Sequence, residues 1–493
     1  TVFDSYLIVL VVDENDVPVS GVSVIFTAPS SGASGVFTNS GTDSTIATTG
    51  VDGIATSSTF TANNVEGNYI IAASAAGFNP VQFQITNYSS GSDPKGRYVS
   101  STGSDSFPTT CNSISSPCLT INKAIESAAI GDRVYVSAGN YQGSGNEVVL
   151  INKRVALSGG WDENFSAQDG TSIIDGQGAR RGLTTSVFGI PVVVDRFTIL
   201  NGFDNAQGGG GIYNYGTLIL NNSIVSGNVS GNQGGGILNG GRLTLNNTAV
   251  SGNRAGTLSS GSTGGGIQNS DGPVILNNSA VTGNILYNGS LGSGIYNYGG
   301  FFELNNSTVG GNTGGQGIAN MASNFTLNNS TVSFNSGGGI NNINYNWAPP
   351  STVTMRNSIL ANNTISGAGS DCTGNIISAG HNLIGTTSGC NFMSGAADLL
   401  NINPALNSTL MGVPAYYALL SSSPAIDAGD PSTCLGTDQR GKTRPVGAAC
   451  DIGAYEYDNT PPGPAAKLVF VSGSGQQTAP LWAFPLRLQV AIL

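Results

Sequence analysis

"GGGIYNYGTLILNNSIVSGN" occupies Gly209–Asn228, and "GGGILNGGRLTLNNTAVSGN" follows at Gly234–Asn253. The same pattern, a GGGI start running into LNNSxVxGN, returns in looser form at Gly264–Asn284, Gly292–Asn312, Gly315–Asn335 and Gly337–Asn363. Its isoleucines, Ile212, Ile237, Ile267, Ile295, Ile318 and Ile340, lie 25, 30, 28, 23 and 22 residues apart. A period of about 20–50 residues marks a solenoid or a propeller. These copies are too short for four-stranded blades and carry no leucine-rich signature. What remains is a right-handed parallel β-helix, one coil per copy, with about three short strands per coil.

Two further positions recur with the isoleucines. Leu220, Leu245, Leu276, Leu304, Leu327 and Met355 form one set, and Val225, Val250, Val281, Val309, Val332 and Leu360 form another. Stacked coils turn all three sets into apolar ladders along the axis. Burying three aliphatics per coil does not offset the entropy of ordering the whole coil, so hydrogen bonds between coils have to supply the rest.

Asn222, Asn247, Asn278, Asn306, Asn329 and Asn357 come two residues after the Leu/Met set. Strand alternation places them on its inward face or in the adjoining turn, where stacked amides would bond coil to coil. The rival reading is glycosylation, because Asn221-Asn222-Ser223 and its equivalents fit the N-x-Ser/Thr pattern. The acceptor there is the first Asn, which should point outward.

Outward from the repeats, Leu119, Ile121, Ala124, Ile125 and Ala128 have the spacing of one amphipathic helix over Leu119–Ile130. A single helix opening a long β region suits a capped solenoid. Strands are expected next at Val134–Val136 and Val148–Ile151. The GGxI coils resemble repeats of bacterial surface β-helix proteins, including chlamydial polymorphic outer-membrane proteins. Arg97–Tyr141, "RYVSSTGSD…PCLTINKAIESAAIGDRVYVSAGNY", resembles the opening coil of secreted bacterial β-helix proteins. Ser422–Tyr457, "SSPAIDAGD…CLGTDQRGKTRPVGAACDIGAYEY", resembles their closing segment. These resemblances imply surface anchoring and no particular chemistry.

Residues 1–88 read as short strands without a helical period: Leu7–Val12, Val22–Phe26, Gly53–Phe60, Tyr69–Ala75 and Val81–Ile85. Strands at that spacing point to a small β-sandwich. The stretch "DENDVPVSGVSVIFTAP…GVDGIATSSTFTANNVEGNYIIAASAAG" resembles the invasin/intimin-type immunoglobulin-like domain, which implies a stalk or spacer module.

Composition narrows the rest. The 493 residues carry 17 basic and 28 acidic side chains, so 9% are charged against about 25% in ordinary soluble domains. The 39% hydrophobic content argues against disorder, and the 72 glycines follow no collagen period. A net charge of −11 without a basic run leaves nothing to neutralise a nucleic acid. No apolar stretch is long enough to span a bilayer. The absence of a charged leader reads as a mature, processed or partial chain. Six Cys allow fifteen pairings; the economical one is local, Cys111 with Cys118, Cys372 with Cys390 and Cys434 with Cys450. Their spacings match no zinc pattern, and His381 is the only His. Disulfides imply an oxidising compartment and an exported protein.

Parallel β-helices often belong to polysaccharide lyases and glycosidases, so an enzyme is the main alternative, and its carboxylates should be paired. Between Asn205 and Asn363 the charged residues are Arg242, Arg254, Asp271, Glu303 and Arg356, at non-equivalent places. The one stretch where catalysis could sit holds Asp162, Glu163, Asp169, Asp175, Arg180, Arg181, Asp195, Arg196 and Asp204, more simply read as solvated turns. Asp427, Asp430, Asp438, Arg440, Arg444, Asp451 and Glu456 read as ion pairs pinning the last coil, with no diagnostic calcium spacing. Tyr213/Tyr215 and Tyr296/Tyr298 are either sugar-stacking pairs or turn-surface aromatics. No cofactor or metal is expected.

After the Pro-rich Asp458–Ala465, the run "AKLVFVSGSGQQTAPLWAFPLRLQVAIL" resembles the first two strands of the same immunoglobulin-like family. The N-terminal domain, starting "TVFDSYLIVLVV", resembles that family from its second strand onward. An open sandwich exposes an apolar groove and unpaired edges. Two readings follow. Lys467, Leu468, Val469, Phe470 and Val471 of one subunit fill the gap beside Phe3, Leu7, Val9 and Val11 of the next, propagating a filament. Otherwise the chain is one unit of a longer tandem array. Duplication of the second strand counts against simple donation.

The expectation is therefore an all-β chain: an immunoglobulin-like β-sandwich (1–88), a linker (89–96), a right-handed parallel β-helix with an N-terminal capping helix (97–457), a Pro-rich linker (458–466) and a C-terminal β-strand extension (467–493). Its expected work is structural, as an extracellular filament, sheath or stalk on a bacterial surface. Its partners would be copies of itself head to tail and surface glycans. The alternatives are a polysaccharide-active enzyme and a non-polymerising adhesin.

Overall fold

The computed structural model describes residues 7–11, 19–50, 54–63, 65, 67–77, 80–87, 96–106, 110–189, 191–256, 261–287, 289–344, 349–458, 468–472 and 489–492. The chain divides into two compact units, Thr1–Lys95 and Gly96–Leu493.

The first unit is built from antiparallel sheets. Four strands run in the order Ser44–Thr48, Ser23–Thr27, Gly67–Ser74 and Val81–Asn87. Gly35–Phe37 pairs with Phe60–Ala62, and Ile8–Leu10 with Ile54–Thr56. In Ser23–Thr27 the side chains alternate between exposed and buried, which puts Val24 and Phe26 in the core with Phe37, Phe60, Tyr69 and Ile71. Val9 and Val11 are buried and Leu7 packs against the same core; Phe3 lies outside the described residues. The expected strand over Gly53–Phe60 is broken in the middle. There Ser57 exchanges hydrogen bonds with Leu7, its Oγ accepting from the Leu7 N–H at 3.0 Å. Gly35–Phe37 and Ser44–Thr48 were not expected, since glycine, serine and threonine hide their alternation.

The second unit is a parallel β-helix of about nine turns. In each central coil the chain runs through three strands, such as Ile212–Asn214, Thr217–Asn221 and Ile224–Ser226, each hydrogen-bonded in parallel to its equivalent one coil on. One of the three faces has 11 strands, from Gly139–Tyr141 to Leu399–Leu400. The three apolar ladders stand in register. Ile212 pairs through to Ile340, Leu220 to Met355, and Val225 to Leu360. Every member is 0–1 % exposed. A fourth ladder passes through Leu218, Leu243 and Val274 to Phe302 and Phe325, whose rings stack at 4.8 Å.

Two sequence features make the coil close. Asn222, Asn247, Asn278, Asn306, Asn329 and Asn357 all have left-handed φ, between 44° and 50°, a region that Asn tolerates better than most residues. They form the corner between the second and third strands. The GGG runs sit where backbones of neighbouring coils nearly touch: a Cβ on Gly236 would lie 2.7 Å from the Gly266 carbonyl oxygen.

Among the described residues there is one α-helix, Ile121–Ser127, shorter than the expected Leu119–Ile130. Asp105 fixes its start by accepting from the N–H groups of Leu119 and Thr120, and Thr120 caps it by accepting from Lys123 N–H at 3.2 Å. Leu119 and Ile130 are left exposed. Ile121, Ala124 and Ile125 enter the core of the coils. Asn122 treats the first strand of its face as a neighbouring coil would: its amide donates to Val148 O and accepts from Leu150 N–H.

At the far end, Cys372–Ser378 spans two faces, pairing with Ile340–Ile343 through Cys372 and with Thr352–Arg356 through Ile377. The chain then turns back as an irregular strap, residues 403–458, that lies against the third-strand face of the last coils. Tyr417 packs on Phe334 with rings 4.8 Å apart, Gln439 accepts from Thr308, and Ala454 N–H bonds Thr331. Beyond it, Leu468–Ser472 pairs antiparallel with Gln489–Ile492; Lys467 lies outside the described residues. No described helix is long and apolar enough to cross a membrane.

Candidate functional site

The polar repeats organise the surface and the interior alike. Asn214, Asn239, Asn269, Asn297, Asn320 and Asn342 are buried, and each amide donates to the next at 2.6–3.0 Å. A second buried chain runs from Asn228 through Asn253, Asn284, Asn312 and Asn335 to Asn363, and ends on Asp371. A third is built of hydroxyls: the N–H groups of Thr248, Ser279, Ser307 and Ser330 each donate to the next Ser Oγ at 3.1 Å. Ser358 passes this chain to Asn382, which donates to Asp398.

On the outside, Asn246 donates to Asn221, Asn277 to Asn246, Asn305 to Asn277 and Asn328 to Asn305, all at 2.9–3.0 Å. Of the two places expected for Asn222, Asn247, Asn278, Asn306, Asn329 and Asn357, the inward face and the adjoining turn, they occupy the turn. Strand alternation stops at the left-handed corner, so the next inward position falls to Ser223 and its equivalents. Within the corner set Asn247 donates to Asn222, and Asn222 to Asp195. Asn306, Asn329 and Asn357 instead bond the strap, through Thr437 O, Leu435 N–H and Asp430 N–H. The Asn two residues after each Ile, and the Asn after most Gly of the SGN turn, were the signals for the buried ladders.

Most of the acids considered for catalysis have a structural task. Asp162 accepts from Ser166, whose hydroxyl and N–H hold it below the usual carboxylate range. Asp175 accepts from Asn140, Asn201 and Gln177 N–H. Asp195 takes Gln168 and Asn222, with Arg196 3.8 Å away. Asp204 turns the chain by accepting from three backbone N–H groups, while its other oxygen holds Arg181 at 2.7 Å. Arg180 bonds Gln177; Glu163 and Asp169 are exposed. Arg181 also lies 4.8 Å over the buried Tyr213 ring; Tyr296 is buried too, whereas Tyr215 is exposed and Tyr298 half-buried. Among the described residues no group of three or more His, Cys, Asp or Glu is placed to hold a metal ion.

The strap has the densest charge. Arg444 and Glu456 form an ion pair at 3.0 Å and are almost fully buried; Arg440 holds Asp438 at 2.7 Å and lies 3.8 Å over the Tyr455 ring. Asp427 binds Ala448 and Ala449 N–H, and Asp430 binds Ser432 and Thr433. Burial pushes Asp451 up to about 6. These residues fold the strap onto itself, and Asp430 also reaches the coils through its N–H on Asn357.

Disulfides join Cys111 to Cys118, Cys372 to Cys390 and Cys434 to Cys450, with no free Cys among the described residues. They fit an oxidising extracellular environment. Compared with family models, curated proteins and solved structures, the chain gives no match.

Proposed function

We propose that this protein is an extracellular structural component of a bacterial surface, building a filament, sheath or stalk by head-to-tail association. The observation that carries the reading is the continuity of the ladders. In the central coils most periodic polar side chains bond their own equivalents one coil away, which suits a rigid spacer rather than a mobile catalytic centre. Strand addition joins the copies. Within the chain Leu468–Ser472 already pairs with Gln489–Ile492, so the two are donated together, as a hairpin, to the edge beside Leu7, Val9 and Val11 of the next copy.

Sedimentation velocity over a range of concentrations tests it. The full chain is expected to form growing head-to-tail species, and Phe470→Asp to remain a single copy with unchanged circular dichroism. A wild-type chain that stays a monomer at every concentration, or a Phe470→Asp chain that assembles as well, contradicts the reading.

A further inference from the structure

One straight column crosses the outside of the second-strand face. Strand register aligns Tyr98, Tyr135, Ser158, Asp195, Asn221, Asn246, Asn277, Asn305 and Asn328. At its N-terminal end Tyr98 and Tyr135 stack at 5.4 Å, and Trp161 meets Tyr135 edge-on at 5.4 Å while donating its indole N–H to Ser158 Oγ. Gln168 Nε2 bridges Ser158 and Asp195.

The amide inventory of the middle of the column is informative. An Asn side chain has two N–H donors and two acceptor lone pairs. Asn246, Asn277 and Asn305 each spend one donor and one acceptor on the ladder, leaving one of each per coil. They are half-buried, so the remainder faces solvent in one fixed orientation. Beside them lies a second row, Asn222, Asn247 and Asn278, exposed or half-buried. The strap covers the equivalent corner only from Asn306 onward. The open strip is therefore two amides wide over three coils and repeats at about 4.8 Å; charge meets the column at its two ends, as Asp195 with Arg196 3.8 Å away and as Glu303 and Arg356, both hydrogen-bonded to Asn328.

We infer that this strip binds an extended, uncharged polysaccharide, its hydroxyls taken by the amide rows and a sugar ring seated at the Trp161 end. A hydroxyl is donor and acceptor at once, which is what each amide offers in return. The rise from sugar to sugar in an extended glycan is comparable to the spacing of the coils. An acidic glycan would meet the carboxylates of Asp195 and Glu303 at the two ends of the amide rows, where Asn222 and Asn328 donate to them. The inference does not depend on self-assembly.

Affinity electrophoresis tests it, using the unmodified 493-residue chain (intact mass checked) in gels containing hydroxyethylcellulose, mixed-linkage β-glucan, galactomannan or alginate. Retardation is expected in at least one neutral polysaccharide and not in alginate. Asn246→Leu/Asn277→Leu, which leaves the buried ladders untouched, should weaken it about tenfold or more, and Trp161→Ala should weaken it as well. Asn375→Leu removes a similar outward amide pair, with Asn391, away from the strip and should bind as wild type. Migration unaffected by every neutral polysaccharide, retardation by alginate alone, or equal binding by the double variant overturns the inference.

Discussion

Asn363 gives both its backbone and its side-chain N–H to the same oxygen of Asp371, each at 2.9 Å. Asp371 is almost fully buried, and its other oxygen takes the Thr386 N–H at 2.7 Å. The amides from Asn228 to Asn363 all point their donors toward this carboxylate, so their dipoles add along the axis and the charge terminates them. Hydrogen bonds to a charged group are the stronger kind. Asp371→Ala should therefore cost about 2–4 kcal/mol in urea unfolding. A loss below about 0.5 kcal/mol would show that the terminal charge is dispensable.

Position within a coil should decide the cost of losing an amide. Asn284 is fully buried and links Asn253 to Asn312, whereas Asn277 lies on the outer row. Asn284→Ala leaves buried partners without bonds and should cost about 2–3 kcal/mol. Asn277→Ala should cost less than about 1 kcal/mol. Equal losses in chemical denaturation would contradict the assignment of inner and outer ladders.

The strap should be separable from the coils it covers. Cys434 and Cys450 close a loop with a sequence separation of 16, and a loop of that size is worth about 3 kcal/mol. Cys434→Ser/Cys450→Ser should raise hydrogen exchange across residues 430–458 and at the covered Thr331 and Ile359. Exchange at Leu220 and Leu245 should not change. Uniform loosening of the whole helix would argue against a distinct strap.

Acid should firm the strap. Burial, reinforced by the nearby Glu456, pushes Asp451 up to about 6 from an ordinary 3.8; burial raises Asp371 as well. Between those values the folded protein holds protons that the unfolded chain has released. This contribution is present below the unfolded value and is lost as pH rises through about 6. The melting temperature should thus rise by a few degrees from about pH 7 to about pH 5, and Asp451→Asn should flatten that change. A midpoint that falls over the same interval would contradict it.

The rod was legible in the sequence because a solenoid turns sequence period into spatial register. Once Ile212, Leu220 and Val225 were aligned with their repeats, the strand pairing followed. The asparagines were harder to read: alternation holds through Asn221 and fails at the left-handed Asn222, so that set sits in the turn and the outer row runs one residue before it. The strap was legible only as a closing segment over Ser422–Tyr457 with ion pairs; its path was not, because the segment has no period and its contacts are distant, such as Asn306 with Thr437. Ser44–Thr48 escaped for a local reason, having one large apolar residue, Ile46, and that one exposed.

Electron microscopy of the concentrated full chain tests the structural reading most directly. Unbranched fibres or sheaths with a regular axial repeat, absent from the Phe470→Asp variant, are the expected result. Compact, separate particles at every concentration, together with cleavage of polysaccharide by the same preparation, would contradict it.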